Sequence, residues 1–451
     1  MNPTEHKGKP KLDRKFLAAR IDFVLLYGTF ALLMFGPLAF GAVEAWSIFV
    51  VEAGTLLLTL LWLAQQWISE EIEVHWSPLF LPMSVFACLV ALQIVLGLSS
   101  YRHETISQSL LYCAYGMLCF LVTQTLRRTS QARTVAKILV IYGVIVAVFA
   151  LVQGVAPNGK LYWLRIPRLG GRIYGPYVNH NHYAGLMEML APIPLVVSLS
   201  HFVVDKTRIA AGIAAAIMVG TIFLSGSRAG MLSISAEIAI VGIILFRQKR
   251  SLRLALGMGA FAIGLISLLV WLGGKELTSA VGSISTEARG EVSGGTRLSI
   301  DKDGLRMFSE RPILGWGLGT FPVVYPHFRS FYTNFFVNAA HNDYLQLLDE
   351  MGSLGFATML WFLFVVFRQS RKKIANWITH VGGGAALACS LGVVGILLHS
   401  FVDFNLQIPA NAALFYVFCG ILAAPPLLQR VRKPKPVTSE PEDLLATSQV
   451  V

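Results

Sequence analysis

VAKILVIYGVIVAVFALVQGV, residues 135–155, carries a single charge, Lys137, in a run about as long as a bilayer is thick. A helix rises about 1.5 Å per residue, so about 20 apolar residues cross a hydrocarbon core of roughly 30 Å. The run does not alternate with period two, which excludes a strand of a transmembrane barrel. Runs of the same kind recur outward from it. Residues 21–41, 47–66, 78–98 and 107–126 precede it, and 182–200, 208–224, 230–246, 254–273, 353–367, 381–400 and 409–425 follow it. The expected fold is an all-α polytopic membrane protein of about twelve transmembrane helices. Composition agrees: the chain is 55% hydrophobic and 14% charged, against roughly a quarter charged in soluble domains.

The basic N-terminus and the length of the first run argue against a cleavable signal. All five cysteines (Cys88, Cys113, Cys119, Cys389, Cys419) fall in apolar runs, which points to packing and not to disulfides or metal. A net charge of +12 does not imply nucleic acid here, because basic excess in a membrane protein records the loops that face the cytoplasm. Lys7, Lys9, Lys11, Arg14, Lys15 and Arg20 place the N-terminus inside. Arg127, Arg128 and Arg133, then Lys206 and Arg208, Arg247 to Arg253, and Arg368 to Lys373 mark alternate loops as inside too. The acidic loop with Glu70, Glu71 and Glu73 falls on the same side, and acidic residues weigh little in this rule.

The resulting division is a cytoplasmic basic N-terminus (1–20), transmembrane helices one to nine (21–273), a large loop on the outer side (274–340), helices ten to twelve (341–425) and a cytoplasmic tail (426–451). The tail is Pro/Ser/Glu-rich from 434 and is expected to be disordered. The large outer loop opens Gly/Ser-rich and continues into a short surface helix, TRLSIDKDGLRMFSE, with Thr296 as its cap. It then passes through the turn-rich RPILGWGLGTF to an aromatic segment, FPVVYPHFRSFYTNFFVN, whose content suits packing at the membrane interface.

Several arginines on the outer side run against the orientation rule. Arg165, Arg168 and Arg172 crowd one loop, Arg228 sits in SGSRAG between the seventh and eighth spans, and Arg289, Arg297, Arg306, Arg311 and Arg329 lie in the large loop. Guanidinium suits bidentate contact with phosphate, and an arginine at the membrane boundary needs an anionic partner. Plainer roles are open to most of them. Arg289 sits beside Glu287 and Glu291, Arg306 and Arg311 flank Glu310, Arg165 and Arg168 suit lipid headgroups, and Arg297 suits an i,i+4 pair with Asp301. Arg228 has no carboxylate within several residues. Asn179-His180-Asn181-His182 reads as a loop end capping the sixth span, with one side chain free to face a sugar hydroxyl; without a Cys pair or an HExxH, no metal is expected.

In AAHNDYLQLLDEMGSLG, residues 339–355, Asn338 as a cap would put His341 in the first turn of a helix. His341, Leu345, Leu348, Gly352 and Gly355 would then form one stripe, its glycines admitting a neighbouring helix or a lipid tail. The helix dipole would favour neutral His341, able to accept a proton. A capped helix end facing water is the alternative.

His341-Asn342, nine residues, Gly352, two residues and Gly355 resemble the H[NSQ]X9GXX[GTY] signature of the bacterial O-antigen ligase/O-antigen polymerase superfamily. RPILGWGLGTF and the SGSRAG arginine resemble further family features. The resemblance implies a GT-C-like glycosyltransferase of the inner membrane, acting on the periplasmic side with neither cofactor nor metal. Its donor would be a glycan on undecaprenyl diphosphate, and its acceptor lipid A–core for a ligase or a growing glycan for a polymerase. Arg228, Arg297 and His341 match the family's essential residues. The arginines would stabilise the diphosphate leaving group, and His341 would act as general base in an inverting transfer. Arg172, Asn342, Arg306, His399 and Asp403 are the further candidates for substrate binding. NHNHYA and DFNLQIP are at least as similar to polymerases, so both branches stand, with the ligase favoured. A transporter of an anionic lipid-linked glycan is the rival from another class. It predicts broken or polar helices at mid-membrane and internal repeats, whereas the polar residues here gather at the outer ends of spans.

Overall fold

The computed structural model describes residues 11–70, 72–166, 172–248, 294–332 and 336–428. The expected ninth span, the Gly/Ser-rich start of the large loop with Arg289, Arg168 and the C-terminal tail lie outside the described residues; Thr296, expected as a cap, falls within a helix that runs from Gly294. Helix dominates what is described, with no strand beyond isolated bridges.

In chain order the helices are α1 (Lys11–Leu38), α2 (Ala45–Ser69), α3 (Phe80–Val95), α4 (Arg102–Thr125), α5 (Thr129–Val155), α6 (His180–Leu190) and α7 (Pro192–Leu199). Then come α8 (Asp205–Ser225), α9 (Arg228–Arg247), α10 (Gly294–Glu310), α11 (Phe321–Val324), α12 (Asp343–Ile374), α13 (Val381–His399) and α14 (Pro409–Ala423). Nine described helical segments are long and apolar enough to cross a membrane, α6 and α7 together making one of them; α3 and α14 are shorter apolar helices. The apolar window of α6–α7 is 83% buried and that of α13 is 72%, against 28–44% for the other seven. These two therefore form the centre of the bundle. The others turn residues such as Phe49, Leu57, Ile145 and Leu232 outward, as lipid-facing helices do.

The acidic loop joins the basic segments at one end of the bundle. Glu70 bonds Arg14, and Glu73 lies 3.2 Å from Arg127. Leu428, beyond α14, pairs with the backbone of Arg127 and Thr129 there. The basic segment is helical from Lys11 and runs without a break into the first span.

At the opposite end the large loop packs as a small domain. Phe321 stacks on Tyr325 at 4.9 Å and both join Ile300, Met307 and Ala340 in a core. The aromatic segment is thus partly interior, with Tyr332 and Phe336 left exposed. Asp303 closes it, accepting from Ser330 N at 2.9 Å and from the Tyr325 hydroxyl at 3.3 Å.

The start of α12 differs from the sequence expectation. The cap is Asn342, not Asn338: its Oδ1 accepts from the amides of Tyr344 and Leu345 at 3.2 Å. His341 therefore precedes the helix, with φ +55°, a left-handed conformation uncommon outside glycine. The stripe also breaks at Gly352, where φ is +65° and ψ −169°, a region open essentially to glycine alone. Neither a helix nor a lipid tail fills the gap. The backbone of Ile313–Leu314 does: a Cβ on Gly352 would lie 2.3 Å from the Ile313 carbonyl oxygen. RPILGWGLGTF is the turn that docks there, with Gly315, Gly317 and Gly319 all at positive φ. Ser353 N donates to Pro312 O at 2.8 Å and Gly317 N to Glu350 O at 2.9 Å.

Candidate functional site

The turn between α13 and α14 carries Asp403, which is 1% exposed and lies at the centre of a polar cluster. Asp403 Oδ1 accepts from Phe404 N at 2.8 Å, and Oδ2 accepts from Asn181 Nδ2 at 2.5 Å. His341 Nδ1 stands 3.6 Å from Oδ1, His182 Nε2 4.0 Å from Oδ1, and Arg297 4.0 Å from Oδ2. The Arg297 guanidinium also donates to Val402 O at 2.7 Å. Phe404 stands edge-on to both His182 and His341, with ring centroids 4.7 Å away in each case. Four distant segments thus meet: α6, α10, the residue before α12, and the turn after α13.

Local sequence explains how each segment is held. Asn179 caps α6 through its side chain, accepting from Asn181 N at 2.9 Å, as expected. Gly185, one turn on, leaves room for Asn405, whose Oδ1 would lie 2.3 Å from a Cβ there. Asp343 ties α12 to the Asp403 turn by accepting from the Ser400 hydroxyl at 2.7 Å and from Leu406 N at 3.1 Å. Glu350 holds the glycine turn by accepting from Gly319 N at 2.8 Å. These two carboxylates act in the scaffold.

The electrostatics follow from the packing. Burial pushes the Asp403 carboxyl up, but His341, His182, His399 and Arg297 around it outweigh that and hold it well below the usual carboxylate range. Asp301, on α10, is raised by burial, which Arg297, His341 and Asn342 offset only in part. About a quarter of the His341 side chain is open to solvent (27%), as is 31% of Arg297. The two reach outward, while Asp403 backs them from below.

The other expected site residues divide. Arg228 opens α9 behind a Ser227 cap whose hydroxyl accepts from Gly230 N at 3.2 Å. The Arg172 guanidinium lies against that same turn, 2.8 Å from where a Gly226 Cβ would stand. His180 N donates to Arg172 O at 2.9 Å, and its ring feels Arg172, Asp403 and Arg297 together, so the arginine turn adjoins the cluster. Asn342 caps α12 beside His341. Arg306 does not join: it is exposed and faces Asp303 at 3.7 Å, not Glu310. His399 is completely buried beneath the cluster on Glu188, out of a substrate's reach. Arg165 pairs with Glu44 at 2.5 Å and Arg311 lies over Trp316 at 4.1 Å, so both have structural partners. Asn181 and His182 also join the Asp403 cluster, where the sequence pattern presented a cap with one side chain turned to a sugar hydroxyl.

Fold and cluster together define a multi-pass helical membrane protein with an arginine–histidine–carboxylate site at one end of its bundle. The family model described as O-antigen ligase matches residues 213–360, from α8 through the break in α12 and across the positions of Arg228, Arg297 and His341. The match supports a place for the chain among O-antigen ligase-related proteins. No curated protein matches it.

Proposed function

We propose that this protein transfers a glycan from a polyprenyl diphosphate, undecaprenyl diphosphate in a bacterial inner membrane, to a sugar hydroxyl on the periplasmic side. The observation that carries the reading is the placement of His341. Its Nδ1 faces the buried Asp403 carboxylate, 27% of its side chain is open to solvent, and Arg297 stands on the same carboxylate. Asp403 orients the ring and stabilises the imidazolium that forms when Nε2 takes the proton of the acceptor hydroxyl. The freed oxygen attacks the anomeric carbon as its bond to the diphosphate breaks, which inverts the centre. Arg297 and Arg228, with Arg172 on the adjoining turn, receive the charge that grows on the leaving diphosphate. The chain's own residues supply each step, without a metal.

A second feature supports a lipid-linked substrate. An apolar cavity of about 670 Å³ runs between α3, α4, α12 and α14, from Trp76 at the Arg127 end to Asp343 and Gln407 beneath the cluster. It spans the depth of the bundle and suits an isoprenoid tail whose headgroup emerges at the site. A transporter of such a lipid needs its polar path at mid-membrane, whereas this cluster sits at the bundle's end.

Ligase action on lipid A–core is the branch we favour, with polymerisation the alternative. Purified protein given a synthetic undecaprenyl-diphosphate oligosaccharide, with core lipid and a second repeat unit offered as acceptors, decides it. Product on core lipid supports a ligase and a lengthened glycan a polymerase. Passage of the lipid across a vesicle bilayer without transfer refutes both.

A further inference from the structure

Beneath the cluster three ionisable side chains from three helices are buried at 0% exposure: Glu188 of α6, Glu237 of α9 and His399 of α13. Such groups are costly inside a membrane bundle, and their retention points to use. Glycines make room for them. A Cβ at Gly230 would lie 3.0 Å from Glu188 Oε1, and one at Gly395 would lie 1.7 Å from Glu237 Oε1. His399 Nδ1 meets Glu188 Oε1 at 2.9 Å. His399 Nε2, Glu188 Oε2 and both Glu237 oxygens have no hydrogen-bond partner among the described residues. The transfer step uses none of the three directly.

What they control is the turn above them. The His399 carbonyl accepts from Val402 N at 3.0 Å and from Asp403 N at 3.2 Å. The residue gripped by Glu188 is therefore the one from which the Asp403 turn hangs. On α6, Asn181 lies seven residues before Glu188, on the same face, and holds Asp403 itself. Four carboxylates bear on this arrangement: Glu188 from α6, Glu237 from α9 behind it, Asp343 from α12 and Asp403 from the turn.

We propose that Glu188 and His399 are a positioning pair for Asp403, a role that rests on the transferase reading. The charge-assisted contact fixes residues 399–403 against α6, and with them the direction in which Asp403 faces His341. Position 188 then governs turnover and not donor affinity.

The test is a double-mutant cycle on the full-length protein in lipid nanodiscs, with a synthetic undecaprenyl-diphosphate oligosaccharide as donor. Glu188→Gln keeps size and an acceptor oxygen but removes the charge. A bond to a charged group exceeds a neutral one by enough to lower kcat about tenfold, or about 1.4 kcal/mol, with donor KM within about twofold. His399→Gln loses the same factor, and the double variant falls within about threefold of either single, because one interaction is broken once. Losses that multiply, a loss confined to KM, or wild-type turnover in Glu188→Gln each overturn the pair. If Glu188→Gln does not fold, His399→Gln and the double variant carry the test, and full turnover in either overturns it. An active wild type and an inactive His341→Ala beside a fully active Glu188→Gln refute the pair alone. A wild type that transfers nothing refutes the transferase reading, and the pair with it.

Discussion

Replacing Asp403 by Asn keeps the shape of the turn and removes its charge. Asp403 Oδ1 lies 3.6 Å from His341 Nδ1. At an effective dielectric of about 20, a carboxylate and an imidazolium at that separation attract by about 4.6 kcal/mol. In the proposed mechanism the imidazolium forms as His341 takes the acceptor's proton, so this attraction lowers the barrier. Because 27% of the His341 side chain faces solvent, screening reduces the useful part to about 2–3 kcal/mol. Asp403→Asn should therefore lower kcat about 30- to 150-fold, with donor KM little changed. The assay is transfer of a labelled oligosaccharide in nanodiscs across a range of donor concentrations. Turnover within threefold of wild type, or a defect entirely in KM, refutes the assignment of Asp403 as the partner of His341.

Further expectations rest on other parts of the structure. Arg297→Lys loses the planar fork that reaches Val402 O and should cut turnover at least about tenfold, whereas Arg306→Ala, outside the cluster, should stay within about twofold; equal effects in the same assay would contradict the geometry. Gly352→Ala forces a Cβ to 2.3 Å from the Ile313 carbonyl at φ +65°, a backbone cost of about 1–3 kcal/mol before the clash is counted. Its thermal midpoint by fluorescence-detected size exclusion should fall by several degrees, and an unchanged midpoint would show that the turn is not docked there. Asp403 is depressed in the fold, so its stabilising contribution is complete above the unfolded carboxylate value of about 3.9 and is lost as pH falls through the lower folded value. Wild type should therefore show an acid-induced loss of stability below about pH 4 that Asp403→Asn lacks, and parallel stability curves for the two below about pH 4 would contradict this.

How far the sequence carries depends on the range of the interaction. The spans are legible because crossing a bilayer is a local requirement, and every expected run within the described residues contains a helix. The glycine turn at 315–319 is legible as a turn, since three glycines at alternate positions suit little else. Its purpose is not, because docking on the break at Gly352 depends on residues more than thirty positions away. Asn338 and Asn342 are equally good caps by spacing. Asn342 prevails because the next residue, Asp343, is anchored to Ser400 and Leu406, a tertiary fact with no local signature. For the same reason Asn181 and His182 read as a helix end and Asp403 as a minor candidate: the cluster joins positions 181, 297, 341 and 403, and no periodicity links them. Glu188 and Glu237 interrupt apolar runs without a nearby partner, a signal of buried function that the sequence holds but does not explain.

The account depends most on His341 as the base. Donor binding and glycan transfer measured on one preparation of His341→Ala test it directly. The account predicts that binding of the undecaprenyl-diphosphate oligosaccharide stays close to wild type while transfer is abolished. Loss of donor binding in parallel with transfer, or transfer at an undiminished rate, would contradict it.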